Sequence, residues 1–241
     1  EMSLTVVRTT YSGVLRDNMD FATAFCDAEG RLVAQGLTLP GHLGSVPTAL
    51  AAVRDRYGDA IRPGDVFCLN DPYEGGMHLP DLFVVKPIFD GDVLVAYAVV
   101  SSHHVDTGGR VPGSNAADST EIYQEGLRIP PCRLYDRGEA NDTLFRIIEK
   151  NVRAPTMYFG DLRAQLAATH TAETQFLELI ARHGRATVAA LMTELIDYAE
   201  RMARAAIAEL PDGTVSFEDW IDDDGVDHGK PIRLYVTTEK K

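Results

Sequence analysis

The apolar positions along this chain change their period near residue 140. Before it, short apolar runs bounded by Gly, Pro and Asp read as strands. "MDFATAFCDAEGRLVAQG" (19–36) reads as a β-hairpin around "DAEG", and "DVFCL", "DLFVVKPIF" and "VLVAYAVVSS" read as further strands, the last two joined by "DGD". Between them, "SVPTALAAVRDRYG" (45–58) reads as a helix with Ser45 as N-cap and Gly58 as its stop. Beyond the change, "NDTLFRIIEKNV" opens on the cap candidate Asn141. Two long segments then carry helical spacing, "DLRAQLAATHTAETQFLELIARHG" and "TVAALMTELIDYAERMARAAIAEL", the second as a stripe of Val188, Leu191, Met192, Leu195, Met202 and Ala206. Gly184 separates them, which predicts an antiparallel helical hairpin. After "PDGT" the pattern returns to strands, ending in "IRLYVTT".

The expected fold class is therefore α+β: a mixed, mainly antiparallel sheet region with long loops, then a helical hairpin, then a return to strands. The regions are 1–140, 141–210 and 211–241, the last read as the start of a strand region that continues beyond the given sequence.

Composition narrows the function classes. Hydrophobic residues make up 45% and charged residues 24% of the 241, ordinary for a soluble globular chain. The longest apolar runs, such as "VLVAYAVV", are strand-length, so no transmembrane span is expected. A formal net charge of −13 argues against a nucleic-acid partner, which needs clustered Lys and Arg. Cys26, Cys68 and Cys132 form no CxxC, and the first two lie in apolar runs. They read as buried free thiols in a reducing compartment, with a cytoplasmic location expected. No phosphate-binding loop, dinucleotide fingerprint or nucleophile elbow occurs.

Candidate chemistry concentrates in two stretches. "NDPYEGGMHLPDLFVV" (70–85) sets His78 and Asp81 three apart in a Gly- and Pro-punctuated loop, and "SSHHVDTGGRVPGS" (101–114) repeats that spacing with His103 and Asp106. Pro80 disfavours a helix through Leu79, so a turn must bring the first pair together. His103 and His104 close a long strand and should point to opposite faces, leaving one free to bind while the other supports it or packs. Imidazole with carboxylate suits zinc, or iron and manganese when more oxygens join. Gly75, Gly76, Gly108 and Gly109 would let backbone approach a substrate. The aperiodic stretch 108–131 is expected to cover the site or line the substrate pocket, with Glu121, Gln124 and Glu125 as candidate contacts. "EDWIDDDGVDHG" (218–229) reads as a solvated turn; His170, His183 and His228 read as surface or capping residues, and His42 in "LPGHLGSVP" is ambiguous.

These stretches, with "RTTYSGVLRDNMDFATAFCDAEGRLVAQG", "GHLGSVP", "RPGDVFCLNDPYEGGMHLPD", "HHVDTGGRVPGS", "STEIYQEGLRIPP" and "GDLRAQLAA", resemble the hydantoinase B family in order along nearly the whole chain. That family includes B subunits of ATP-dependent N-methylhydantoinases, the matching part of 5-oxoprolinases, a caprolactamase subunit, and subunits of acetone and acetophenone carboxylases. Its members are usually considerably longer. The chain resembles the first half of such a protein, without its opening helix.

The resemblance implies a divalent transition metal, zinc first with manganese or iron as alternatives, held by His78, Asp81 and His103, with Asp20 as a further ligand. It selects His103 over His104 as the ligand. His104, Asp106 (as the partner orienting the His104 ring) and Glu125 are the candidate catalytic residues. The implied partner is a hydantoinase A-type subunit that binds ATP, in a hetero-oligomer. The implied reaction is ATP-dependent opening of a hydantoin, 5-oxoproline or lactam ring: the A-type partner phosphorylates the amide oxygen and the B-type chain supplies the hydrolytic water. A ketone carboxylase subunit is the alternative, and a non-catalytic scaffold docking through the helical hairpin is a third. "HLPD" and "HHVD" look closer to the hydrolases.

Overall fold

A computed structural model of the protein describes residues 1–42 and 44–240; Leu43 of the "GHLGSVP" motif lies outside the described residues. The chain opens on two short helices, α1 (Met2–Thr9) and α2 (Gly13–Arg16), which the strand-and-helix pattern of the sequence left unassigned. A hairpin of β1 (Phe21–Asp27) and β2 (Leu32–Gln35) follows, then α3 (Val46–Tyr57), β3 (Val66–Leu69), β4 (Asp81–Asp90) and β5 (Val93–His103). After a long loop come β6 (Cys132–Asp136), β7 (Glu139–Ala140), α4 (Asp142–Asn151), α5 (Pro155–His183) and α6 (Arg185–Ala208), and last a ribbon of β8 (Gly213–Ile221) and β9 (Ile232–Lys240). The fold is α+β.

β1 to β7 form one sheet in the order β2-β1-β5-β4-β3-β6-β7, its pairings antiparallel. The expected β4–β5 turn is present, with Gly91 at φ 65°, a conformation its missing Cβ permits. Alternation along the strands sends side chains to two faces. On one, Ala24, Cys26, Phe67, Leu69, Phe83, Val85, Tyr97 and Val99 pack against Val46, Ala49, Leu50 and Val53 of α3. On the other, Cys68, Leu82 and Val84 meet Ile148, Tyr158 and Leu162 of α4 and α5. That second core crosses position 140, so the sheet and α5 share one interior.

Local signals account for some helix ends. Asn141 accepts from the Leu144 N–H at 3.1 Å, the expected cap. Ser45 stands at the N-terminus of α3 but makes no side-chain cap. α5 starts earlier than its apolar spacing indicated, at Pro155, where a missing N–H costs nothing. The α6 stripe packs only in part: Val188 and Met192 join the core, while Leu191, Leu195 and Met202 are exposed. Cys26 and Cys68 are buried free thiols as expected. Antiparallel pairing brings Cys132 opposite Cys68, with Sγ atoms 3.8 Å apart.

Candidate metal centre

β1, β5 and β4 are neighbours in mid-sheet, and the start of β1, the end of β5 and the start of β4 fall at one edge. Phe21 pairs with Ser102, and Asp81 with His103. The His103 N–H donates to the Asp20 carbonyl at 3.1 Å, extending the ladder by a residue. Register alone therefore gathers Asp20, Asp81 and His103. Their parity matches Ala24, Phe83 and Val99, which places the three side chains on the α3 face.

His78 reaches the same point from the loop before β4. The Asp81 N–H donates to the His78 carbonyl at 2.9 Å, closing the turn that Pro80 requires. Asn70, buried at the end of β3, clamps this loop. Its Nδ2 donates to the carbonyls of Leu79 at 2.7 Å and Leu127 at 2.9 Å, and its Oδ1 accepts from the Ile129 N–H at 2.6 Å. Sequence reasoning missed Asn70, because an Asn after a strand is also an ordinary turn residue.

His78 Nδ1 lies 2.6 Å from Asp81 Oδ2, and His103 Nδ1 lies 3.3 Å from Asp81 Oδ1. The candidate ligand atoms of His78, Asp81 and His103 all fall within 4.8 Å of one another. Asp20 stands at the edge of this set, its Oδ2 4.0 Å from His103 Nδ1. Side-chain exposure rises from 0% at Asp81 through 18% at His103 to 30% at Asp20 and 39% at His78. The centre is closed beneath and open on the His78–Asp20 side.

These residues fit a cation. His78 Nδ1, both Asp81 carboxylate oxygens and Asp20 Oδ1 are buried without a partner in hydrogen-bonding geometry, although some lie within contact distance. Buried carboxylate oxygens left that way are costly unless something charged meets them. Close but unaligned N and O donors are what convergence on a shared ion produces. Two imidazoles with one or two carboxylates suit zinc, manganese or iron. Burial by itself would raise the Asp81 pKa, but His103, His42 and His78 outweigh it and hold the carboxyl well below the usual range.

The remaining candidates fall elsewhere. His104 turns to the opposite face, as strand alternation requires, stacked on Tyr158 with ring centroids 4.0 Å apart. Its Nε2 lies 3.0 Å from Gln165 Oε1, while Gln165 Nε2 donates to the carbonyls of Leu82 and Val100. That fixes His104 as the Nε2–H tautomer, and burial pushes its pKa down to about 4.

Asp106 does not orient His104. Its carboxylate accepts from the backbone N–H groups of Gly108, Gly113 and Arg153 and from the Arg153 guanidinium. Burial would raise its pKa, and these donors outweigh it and hold the carboxyl below the usual range. Asp106 and Arg153 staple the loop after β5.

No hydrogen bond or ion pair among the described residues joins Glu121, Gln124 or Glu125 to the histidines. Gln124 closes the loop on itself, its carbonyl accepting from the Arg110 N–H and its Oε1 from the Thr120 N–H, each at 2.8 Å. The four glycines face the chain's own atoms: a Cβ at Gly76 would meet the Asn70 carbonyl oxygen at 2.4 Å, and one at Gly109 the Gln124 carbonyl oxygen at 2.5 Å. Gly75 packs on α3 and Gly108 on Asn151. His170, His183 and His228 are exposed, as expected. His42, ambiguous in the sequence, is buried beside Asp81.

The Hydantoinase B/oxoprolinase family model matches residues 1–241. The chain belongs to that family. The putative B subunit of a D-/L-hydantoinase from Pseudomonas sp. (strain NS671) is 34% identical over 248 residues, covering 99% of this chain and 42% of that protein. The crystal structure of the ATP-dependent caprolactamase from Pseudomonas jessenii matches with a TM-score of 0.88 at 36% identity, over 97% of this chain and 41% of that one. The acetophenone carboxylase delta subunit of Aromatoleum aromaticum is 30% identical, over 92% of this chain and 33% of that protein. This member of the Hydantoinase B/oxoprolinase family thus spans less than half the length of each of these relatives. Among its described residues, no helix is long and apolar enough to cross a membrane.

Proposed function

We propose that the chain carries the metal-binding catalytic centre of an ATP-dependent cyclic amide hydrolase, one that opens a hydantoin, 5-oxoproline or lactam ring. The observation that carries this reading is the convergence of His78, Asp81 and His103 within 4.8 Å around a fully buried carboxylate whose oxygens lack hydrogen-bond partners. His78, Asp81 and His103 would hold a divalent ion, zinc first and manganese or iron as alternatives, with Asp20 completing the set. Such an ion supplies Lewis acidity and lowers the pKa of a coordinated water towards about 7, giving a nucleophile at neutral pH.

The chain's own residues prepare that site. The Asp20 and His78 side is the open one, so the ring enters there. Asn70 and the turn at Pro80 fix His78 against Asp81. The β4–β5 ladder fixes Asp81 against His103. His104 keeps a neutral ring on the far face and adds no charge beneath the carboxylates.

An amide is a poor electrophile, and O-phosphorylation converts it into an imidate-like one. The sequence holds no phosphate-binding loop, and two of the relatives are named as single subunits of larger enzymes. We assign ATP to an A-type partner in a hetero-oligomer. The test is ATP hydrolysis by the complete complex against a panel of cyclic amides and of ketones with bicarbonate. Amide-stimulated turnover with ring-opened product supports the hydrolase. Turnover only with ketone and bicarbonate assigns the carboxylase alternative, which the acetophenone carboxylase likeness favours. ATP hydrolysis or ring opening by the chain alone would contradict the division of labour.

A further inference from the structure

We propose that His42 is a positioning residue that holds the Asp81 carboxylate in register; this rests on the metal reading of the centre above. His42 sits in a 3-10 turn, Pro40–His42, just ahead of α3, and its side chain is 2% exposed. Its Nε2 lies 3.2 Å from Asp81 Oδ2 and 3.7 Å from Asp20 Oδ1. It is not one of the three residues whose ligand atoms lie within 4.8 Å of each other. His42 therefore addresses the two carboxylates rather than their common point.

Two further observations set this histidine apart from one that merely packs. Its Nδ1 is buried without a partner, so the contact of Nε2 with Asp81 is the main polar interaction offsetting the burial of the ring. An apolar side chain would fill the same space without that cost. The local backbone is also arranged around it. Ser45 Oγ donates to the His42 carbonyl at 2.6 Å, and the Ser45 N–H to the same oxygen at 3.2 Å. That hydroxyl is the one that could have capped α3, and the helix has no side-chain cap. The Leu39 N–H meanwhile donates to the Phe21 carbonyl at 3.3 Å, tying the loop to β1 next to Asp20.

His42 Nε2 stands 3.2 Å from Asp81 Oδ2 without the alignment of a hydrogen bond, and in its Nε2–H tautomer it would donate to that oxygen on a small turn of the carboxylate, limiting how far Asp81 can rotate. Asp81 is the residue both His78 and His103 face, so its orientation sets the geometry of the whole set. Partners of this kind change metal affinity without binding the metal.

The test is metal affinity, measured on the full chain by competition with a chromophoric chelator for zinc and manganese, with folding checked by circular dichroism in chelator. His42→Ala should bind about 10- to 100-fold more weakly than wild type. His42→Gln, whose amide Nε2–H can reach Asp81, should recover to within about threefold. His78→Ala should lose the metal outright. Should His42→Ala fail to fold, His42→Leu against His42→Gln gives the same contrast at conserved volume. Unchanged affinity in His42→Ala or His42→Leu would reduce His42 to packing. Loss as complete as in His78→Ala, with no rescue by Gln, would make it a ligand and overturn the positioning role. Wild-type chain that binds neither ion would overturn the metal reading itself, and this inference with it.

Discussion

Asp81 and His103 face each other across the β4–β5 ladder, with Asp81 Oδ1 3.3 Å from His103 Nδ1. A single register thus joins two stretches that sit apart in the sequence. His78 meets the other oxygen of the same carboxylate, so Asp81 is the hub of the centre. Asp81→Asn keeps the shape and removes the charge. The expected outcome is a folded chain with no stoichiometric metal, read by elemental analysis and circular dichroism on one sample. Full metal occupancy in that variant would show that the charge of Asp81 is dispensable.

His104 should make stability depend on pH. Its folded pKa, about 4, lies below the ordinary value of 6.5, so between these pH values the unfolded chain binds more protons. Its contribution is fully present above about pH 6.5 and is lost as pH falls towards 4. At 1.36 kcal/mol per pH unit the difference amounts to about 3 kcal/mol. Urea melts from pH 7 to pH 4.5 should show this slope in wild type and a flatter one in His104→Phe, which keeps the stack on Tyr158. An equal slope in both would assign the pH dependence to other groups.

Asn70→Ala removes three hydrogen bonds and leaves buried backbone groups unpaired. A loss of about 3 kcal/mol or more is expected, at roughly 1–3 kcal/mol for each of the three orphaned groups. Because Asn70 holds the His78 turn through Leu79, metal affinity should fall about 10-fold as well. Thermal melts with and without metal separate the two effects.

Asp106→Asn tests a structural role against a chemical one. Asp106 accepts from Arg153 and from the loop backbone and does not meet His104. The variant should lose about 1–3 kcal/mol and cleave faster in the loop after β5 under limited proteolysis, with metal occupancy unchanged. Loss of metal without loss of stability would return Asp106 to the centre.

What the sequence made legible was local. The β4–β5 hairpin follows from two apolar runs around Asp-Gly-Asp, and the opposite facing of His103 and His104 follows from strand period alone. His78 and Asp81 stood out because a loop needs neither. What stayed hidden depends on partners far along the chain. Asn70 acts on Leu127 and Ile129, Gln165 meets His104 from a helix sixty-one residues away, and Arg153 takes Asp106 across forty-seven. No local pattern encodes those meetings, so the closest carboxylate to His104 in sequence was the wrong partner. His42 stayed ambiguous for the same reason, since its place beside Asp81 depends on how its loop is tied to β1. The α6 stripe shows the converse: helical spacing correctly gave the helix, but Val188 and Met192 pack on the core while Leu191 and Met202 face solvent.

Metal content tests the centre most directly. Wild-type chain purified without chelator and analysed for zinc, manganese and iron should carry one or two stoichiometric ions. Replacing His78, Asp81 or His103 singly should remove them while the chain stays folded. Protein of full structural integrity that carries no stoichiometric ion, and takes none up when zinc or manganese is supplied, would contradict a metal centre at Asp81.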